Sequence, residues 1–228
     1  MNFCLIVITS FEKHFLEINE LRRQQCKQYS IPVLFVYNGI LPEGFEFKDD
    51  ELYLHLNGIE GINPIMFMKF TYAVNVFYTK YKKEPTFFVR TNAQCFIDFR
   101  KLAIVLRTLP INNCIAGPFD SKYDDRVFCN GTCMIISNDV AKKLTQEPIS
   151  GNDMVFIEND DVCISWLGMK YGVLFDMTYW FAYYEGLTEL PGQLKEVSRK
   201  TVFYRIKNPA DRMTIDVGIW KMLRKQID

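Results

Sequence analysis

Short apolar runs alternate with helix-periodic segments along the first half of the chain, and this alternation limits the fold more than any other feature. Residues 3–9 and 31–37 are short apolar runs rich in β-branched residues, each followed by polar or turn-forming residues. Residues 11–28 and 65–83 place apolar side chains at helical spacing. Alternating strands and helices predict an α/β fold with a mainly parallel sheet. Because ligands bind such sheets beyond the carboxyl ends of the strands, the segments after strands are the candidate site.

The rest of the chain continues this alternation less regularly. Short strands are predicted over 51–56, 86–90, 114–117, 133–137 and 173–175, and helices over 99–109, 161–171 and 215–227. Another helix is predicted to run to Leu144 from an N-cap at Asn138 or Asp139. Residues 119–127 and 146–160 are polar and predict loops. The length suits one domain over residues 1–228.

The composition is that of an ordinary globular protein, with 49% hydrophobic and 24% charged residues. The formal net charge is zero, so nothing favours a nucleic-acid partner. No apolar run reaches the roughly 18 residues that span a bilayer. The N-terminus has no basic region or small-residue cleavage site, which argues against a signal peptide. We therefore expect a cytoplasmic protein with no membrane span.

The cysteines argue against a zinc site and against a dense disulfide framework. There are 7 of them, an odd number, without a C-x-x-C pair, and only 2 histidines, His14 and His55, accompany them. We expect buried free thiols in a reducing compartment. Spacing alone leaves open whether Cys129 and Cys133 form a bridge.

The stretch from Phe88 to Phe96 is the most informative one for function. A hydrophobic strand leads directly into the polar tripeptide Asn92-Ala93-Gln94, and an aromatic residue follows soon after. Many enzymes that use nucleotide sugars present their phosphate and metal ligands at such a strand end. Here the tripeptide contains no carboxylate.

Four blocks of the sequence resemble, in order, those of the inverting β-1,3-galactosyltransferase and fringe group of GT-A glycosyltransferases. They are the helix with Lys69, residues 90–96, the Cys-x-Gly block over 128–139, and the Glu-Asp-Val type of block over 158–164. The chain looks closest to the short, soluble, viral forms found in large DNA viruses. The resemblance covers roughly residues 60–175. It implies a Rossmann-like GT-A sheet, with residues 1–110 as a nucleotide-binding half and 111–228 as an acceptor half with a C-terminal segment.

The resemblance implies that Asp161 is the general base that deprotonates the acceptor hydroxyl, with Asp160 as the second candidate. A carboxylate at a helix N-terminus stays ionised and faces the cleft of such a fold. From the residues alone, the favoured interpretation is that the two acids are an N-cap and a first-turn acid, worth about 1 kcal/mol to the helix.

Asn92 and Gln94 stand where the family uses carboxylates to hold a divalent metal, Mn²⁺ or Mg²⁺, against the donor diphosphate. Amide oxygens bind hard cations but carry no charge, so we expect weak or absent metal dependence. One interpretation keeps a weakly bound metal that the phosphates help to hold. In the other, cationic side chains neutralise the diphosphate. The candidate cations are Lys69, Arg90, Arg205, Lys207 and Arg212.

Further contacts are expected at strand ends and in the aromatic C-terminal segment. The nucleotide pocket is expected to contain Thr9, Ser10 and Tyr37, with a uracil stacked on Phe11 or Tyr37. Gly131 either lets the backbone approach a sugar closely or is a plain turn glycine. Aromatic residues including Trp180 and Tyr183 either contact the acceptor or fill the core.

The predicted function is transfer of a sugar, with inversion, from a nucleotide sugar, expected to be UDP-linked, to a hydroxyl of a glycan or glycoprotein. Two departures from the family pattern weaken the case for an ordinary metal-dependent enzyme: Ser165 replaces a glycine, and no histidine follows His55. The first alternative is a non-catalytic module that binds nucleotide sugars or glycans. A nucleotidyltransferase is the second, but residues 9–12 do not supply the Gly-rich phosphate loop that it needs.

Overall fold

The computed structural model of the chain describes residues 2–56, 65–81, 84–122, 126–148, 159–194 and 199–227. Residue Glu158 and most of the predicted loop 146–160 lie outside the described residues. The strands are β1 (Phe3–Ile8), β2 (Val33–Tyr37), β3 (Glu51–Tyr53), β4 (Phe87–Asn92), β5 (Cys95–Ile97), β6 (Cys114–Gly117), β7 (Phe119–Lys122), β8 (Arg126–Cys129), β9 (Cys133–Ser137), β10 (Val173–Asp176), β11 (Phe181–Glu185) and β12 (Phe203–Lys207). The α-helices are α1 (Lys13–Gln28), α2 (Ile65–Lys80), α3 (Phe99–Val105), α4 (Asn138–Leu144), α5 (Asp160–Gly168) and α6 (Ile215–Ile227).

A seven-stranded sheet forms the centre of the molecule, in the order β10-β6-β9-β4-β1-β2-β3. The strands β3, β2, β1 and β4 are parallel, whereas β9 is antiparallel to both β4 and β6. Their side chains form two hydrophobic clusters, one on each face of the sheet. Helices α1 and α3 cover one cluster, and α2, α4 and α5 cover the other. The predicted α/β fold with a mostly parallel sheet is confirmed. Since β1 and β4 are parallel neighbours, their carboxyl ends meet at one edge.

A second sheet of three strands, in the order β11-β12-β5, was not predicted from the sequence. Its strand β12 runs antiparallel to β5 and parallel to β11. One face packs on α6, where the rings of Phe96 and Trp220 meet edge to face at 4.7 Å. The aromatic residues after 178 therefore belong partly to a sheet, a pattern that an aromatic-rich sequence without clear alternation does not reveal.

Local differences from the predicted elements have simple causes. Residues 119–127, predicted as a loop, contribute β7 and the start of β8, which form an antiparallel pair in which Asp120 and Ser121 are exposed. The strand predicted over 51–56 ends at Tyr53. Ser137 is the N-cap of α4 rather than Asn138 or Asp139, because β9 runs to Ser137 and leads directly into the helix.

Helix α1 buries a partly polar face toward the sheet. Ile18 and Cys26 are buried as a helical pattern predicts, but Asn19, Arg22 and Gln25 are buried with them. Leu21, which the apolar spacing places on the buried face, is only partly buried. Buried backbone groups at strand ends need hydrogen-bond partners, and polar side chains of a covering helix can supply them. Helix α1 contributes to the site described below in this way.

All 7 cysteines are buried free thiols, as predicted, and Cys129 and Cys133 are not bridged. Burial raises the pKa of the Cys4 and Cys114 thiols to about 12. Within the described residues, no helix is both long and apolar enough to cross a bilayer.

Candidate functional site

The polar tripeptide forms a tight corner between the two sheets. Strand β4 ends at Asn92, Ala93 and Gln94 make the turn, and β5 begins at Cys95. Three backbone hydrogen bonds fix the corner: Ala93 N donates to Ile8 O at 3.1 Å, Asn92 N to Thr132 O at 3.2 Å, and Ile206 N to Gln94 O at 2.8 Å. The corner is therefore held by β1, by the segment before β9 and by β12, so its side chains have fixed positions.

Arg22 holds the same corner from beneath, and the sequence analysis missed it. Its guanidinium is fully buried and donates to the carbonyl oxygens of Ala93, at 3.4 Å, and Cys95. It also lies 5.2 Å from the ring centroid of Trp220. Burial lowers the pKa of Arg22. The available signal was its position four residues after Ile18, on the buried face of an amphipathic helix.

A pocket of about 260 Å³, here called the donor pocket, opens at the carboxyl ends of β1 and β4. The side chains of Thr9, Ser10, Asn92 and Gln94 line it, as the sequence analysis expected from their positions after strands. Ile8, Glu12, Phe15, Met66 and Ala93 complete the lining. The structure thus brings together four of the predicted donor-binding residues.

Two other predicted donor-binding residues support this pocket from the inside. Lys69 is fully buried, and its Nζ donates to Thr9 O at 2.9 Å. Tyr37 is 1% exposed, and Asn19 Nδ2 donates both to its hydroxyl at 3.0 Å and to Thr9 Oγ1 at 2.9 Å. The ring of Tyr37 stacks against Phe11 at 4.9 Å. These contacts place Lys69 and Tyr37 behind the pocket wall rather than in its opening.

A buried charged group, here called the Gly131 cluster, joins Arg90, Gly131, Asp160 and Asp161. Arg90 is fully buried, and its guanidinium donates to Gly131 O and pairs with the Asp160 carboxylate. On the opposite side of the glycine, Gly131 N donates to Asp161 Oδ2 at 3.0 Å. Both backbone groups of Gly131 are therefore bonded to charged side chains.

A side chain on Gly131 would displace its neighbours. A Cβ atom there would lie 2.9 Å from Arg90 Nη1 and 3.1 Å from Asp161 Cβ. The close approach seen at Gly131 is to two charged side chains of the same chain, and its approach to a sugar stays a prediction. The backbone of the Cys-x-Gly block is thereby tied to the start of α5.

Asp160 and Asp161 occupy the first turn of α5, whose N-cap is Asn159. The helix N-terminus stabilises both carboxylates. Burial and the neighbouring Asp161 raise the pKa of Asp160, against the opposing effect of Arg90. Asp161 is half-buried, and its Oδ1 accepts from Val162 N at 2.9 Å. Since each carboxylate oxygen has a further lone pair, Asp161 can still accept a proton.

Thr132 connects the Gly131 cluster to the donor pocket and to the second sheet. Its carbonyl accepts from Asn92 N, and its Oγ1 accepts from Arg205 Nη1 at 2.9 Å. Arg205 Nε pairs with Glu185 Oε1 at 2.6 Å. Tyr183 stands beside Arg205 in the strand register and is 52% exposed. The predicted acceptor-binding residue Tyr183 therefore lies close to this network.

The remaining predicted residues lie on the C-terminal segment. Lys207 and Arg205 line a second pocket together with Arg212. Trp180 is half-buried against the core cluster that contains Val202, whose backbone N–H bonds to Trp180 O at 2.9 Å.

Arg90, another predicted donor-binding residue, is enclosed in the Gly131 cluster and exposes no surface to a ligand.

The donor set at the corner does not fit a carboxylate-held divalent cation. Asn92 and Gln94 offer neutral amides, and Asn92 Oδ1 is buried without a hydrogen-bond partner within the described residues. One orphaned amide oxygen supplies neither the charge nor the number of oxygens that Mn²⁺ or Mg²⁺ requires. Within the same residues, no group of three or more His, Cys, Asp or Glu side chains could hold a metal.

Two solved structures share this fold at low sequence identity. A glycosyltransferase involved in the glycosylation of the major capsid of PBCV-1 matches with a TM-score of 0.52 and 9% identity, over 97% of this chain and 99% of that one. An active-site mutant of LgtC matches with a TM-score of 0.50 and 11% identity, over 97% and 96%. No protein-family model matches the chain, and no curated protein does. The chain thus has the α/β fold of GT-A glycosyltransferases, and the fringe group is not singled out.

Proposed function

We propose that the chain is a glycosyltransferase that moves a sugar from a UDP-linked donor to a hydroxyl of a glycan acceptor, with inversion and with Asp161 as the general base. One observation carries the proposal. Asp161 is held by Gly131 N, and the next residue, Thr132, is bonded to Asn92 at the donor pocket. A carboxylate with spare accepting capacity is therefore linked, through Gly131 and Thr132, to the lining of a pocket at the carboxyl edge of the sheet.

The arrangement supports a single displacement. The acceptor oxygen attacks the anomeric carbon of the donor as the bond from that carbon to the diphosphate oxygen breaks. The electron pair of that bond leaves with the diphosphate, and Asp161 takes the proton of the acceptor hydroxyl. Because the nucleophile enters opposite the leaving group, one such step inverts the anomeric centre. The fixed carboxylate contributes orientation as well as basicity.

The two acids of the first turn of α5 have different roles in this proposal. Asp160 is paired with the buried Arg90, so its carboxylate is occupied. Asp161 bonds only to backbone N–H groups among the described residues, and no cation pairs with its carboxylate there. We therefore assign the base to Asp161 and the structural role to Asp160.

The acceptor is proposed to bind against Tyr183 and the outward face of the second sheet. Tyr183, Arg205 and Glu185 lie on one face of this sheet, because strand partners share a face and residues alternate along each strand. An exposed tyrosine ring next to charged hydrogen-bonding groups suits a sugar, which has both apolar and hydroxyl surfaces.

A second candidate function is a non-catalytic module that binds nucleotide sugars or glycans. The amides at Asn92 and Gln94 favour it, because they remove the charge that the family uses at this place. Hydrolysis of UDP-sugars by the purified protein, even if slow, would argue against this alternative.

The substitution Asp161→Asn tests the proposed base. It should lower transfer by about 10²- to 10⁴-fold, the usual contribution of a general base, while UDP binding stays within about twofold. Transfer is measured by release of UDP from a panel of UDP-sugars in the presence of mixed glycan acceptors, and binding by calorimetry.

Asp139→Asn is the matched control, because Asp139 is also an acid in the first turn of a helix, α4. If both acids only stabilise their helices, both variants lose similar stability and keep transfer. Full transfer by Asp161→Asn would remove this residue from the role of base.

A further inference from the structure

The C-terminal segment forms a pocket of about 530 Å³, which shares Arg205 and Glu185 with the face proposed for the acceptor. Three cationic side chains line it, Arg205, Lys207 and Arg212, and Glu185, Gly186 and Asn208 complete most of its wall. We call it the basic pocket. Cations from two separate segments converge there: Arg205 and Lys207 come from β12, and Arg212 from the turn before α6.

The carboxylates near the basic pocket leave part of its positive charge unmatched. Glu185 pairs with Arg205 Nε at 2.6 Å, and the buried Asp216 pairs with Arg212 Nε at 3.0 Å. Lys207 is exposed and makes no ion pair within the described residues. The Arg212 side chain keeps 24% of its surface exposed. A phosphate can accept charge-assisted hydrogen bonds from such exposed cations.

The wall of the basic pocket is held in place before any ligand arrives. Asn208 is 2% exposed, and its side chain donates to Asp216 Oδ1 at 2.7 Å and accepts from Leu187 N at 2.7 Å. Gly186, which follows β11, adopts a positive φ of 70°, a conformation that suits glycine. Arg212 is fixed by Asp216 and by the ring of Phe15, 5.0 Å from its guanidinium carbon.

The basic pocket adjoins the donor pocket. Gln94 lines the donor pocket, and its carbonyl accepts from the backbone of Ile206, the residue between Arg205 and Lys207. Phe15 also lines the donor pocket, and Arg212 packs on its ring. A main-chain hydrogen bond and a ring contact therefore link the linings of the two pockets.

We propose that the basic pocket binds the diphosphate of the nucleotide donor and takes the place of a carboxylate-held metal ion. This rests on the proposed function for the identity of the ligand. Arg205, Lys207 and Arg212 present charged N–H groups to the phosphate oxygens, and they stabilise the negative charge that the diphosphate gains as it leaves. The metal that the amides at Asn92 and Gln94 cannot hold is then unnecessary for binding.

Calorimetric titrations in the presence of EDTA test the proposal, with UDP, UMP and inorganic pyrophosphate as probes. We expect UDP to bind about tenfold more tightly than UMP without any metal. The substitutions Lys207→Met and Arg212→Gln should each weaken UDP and pyrophosphate about tenfold, and UMP less than about threefold. Lys225→Met is the matched control: this exposed lysine lies on α6 outside the basic pocket, and its loss should change no affinity. Thermal unfolding of each variant shows whether it is folded.

Each outcome supports or overturns the proposal. UDP binding that requires Mn²⁺ and is unchanged in folded Lys207→Met and Arg212→Gln would overturn it, while leaving sugar transfer intact as a function. Pyrophosphate binding that both variants lose supports the anion site even if no sugar transfer is found. Binding of none of the three probes to the wild-type protein would also overturn it.

Discussion

Two groups of charges lie on either side of Thr132, and they are built in opposite ways. In the Gly131 cluster, Arg90 is buried and the charged groups bond to each other or to backbone. In the basic pocket, Lys207 is exposed without an ion pair among the described residues, and Arg212 is partly exposed. Burial closes the first group to a ligand, whereas the exposed cations of the second are open to one.

This difference separates two uses of positive charge that look alike in a sequence. Arg90 lies within β4 and Lys207 ends β12, and both were candidates for the diphosphate. Burial and partners distinguish them: a buried, paired arginine fixes other groups, and an exposed lysine beside other cations attracts anions. Variants of Arg90, Gly131 and Asp160 test that distinction.

The largest effect is expected for Arg90→Met. The substitution leaves the Asp160 carboxylate without its partner and removes the bond to Gly131 O, so the free energy of unfolding should fall by about 3 kcal/mol. Denaturant unfolding measures it. Lys207→Met removes the same charge from an exposed position and should change stability by less than about 0.5 kcal/mol.

The double variant Arg90→Met/Asp160→Asn sharpens this result. If the unpaired carboxylate causes the loss, the double variant should be more stable than Arg90→Met alone, because the orphaned charge is gone. Equal stability of the two variants would show that the lost packing of Arg90, rather than its charge, is responsible.

An intermediate effect is expected for Gly131→Ala. Its new Cβ would contact Arg90 Nη1 and Asp161 Cβ, so one of the two must move. We expect a loss of about 1–3 kcal/mol in stability and reduced transfer. Gly192→Ala is the matched control, since no atom lies within 4 Å of its added Cβ. The same response at both glycines would contradict a tightly filled cluster.

The smallest effect concerns the pH dependence of stability. The pKa of Asp160 is raised by burial, so its protonated form is favoured in the folded state. The stabilisation from this group is present at low pH and is lost as the pH rises through the raised pKa. The stability of the wild type relative to Asp160→Asn should therefore fall as the pH increases from the ordinary pKa of an aspartate. A relative stability that rises instead would show that pairing with Arg90 outweighs burial.

The central sheet could be predicted from sequence because its strands are short apolar runs between helices. Strands β1, β6 and β9 and helix α6 have nearly the predicted bounds, since each has a clear apolar period and a polar end. The second sheet could not be predicted in this way. Strand β5 has three residues, and it pairs with β12, more than a hundred positions later in the chain. Such pairing depends on contacts distant in sequence, which local periodicity does not record.

The candidate site shows the same limit. The positions of Thr9, Ser10, Asn92 and Gln94 at one pocket follow from strand order, because residues after parallel strands meet at one edge. The roles of Arg22 and Arg90 do not follow from the sequence, since both are buried charges whose partners are backbone carbonyls or residues of other elements. Residue type indicated their chemistry, and only the fold showed what they contact.

The corner between β4 and β5 has a consequence for how ligand preference can change. Its two-residue turn is anchored to three neighbouring segments, so exchanging the side chains of Asn92 or Gln94 leaves the path of the main chain as it is. New ligand chemistry can thus arise there by point substitution, without the redesign of a loop. The main chain of the corner and the charge that its side chains offer to a ligand can therefore change independently.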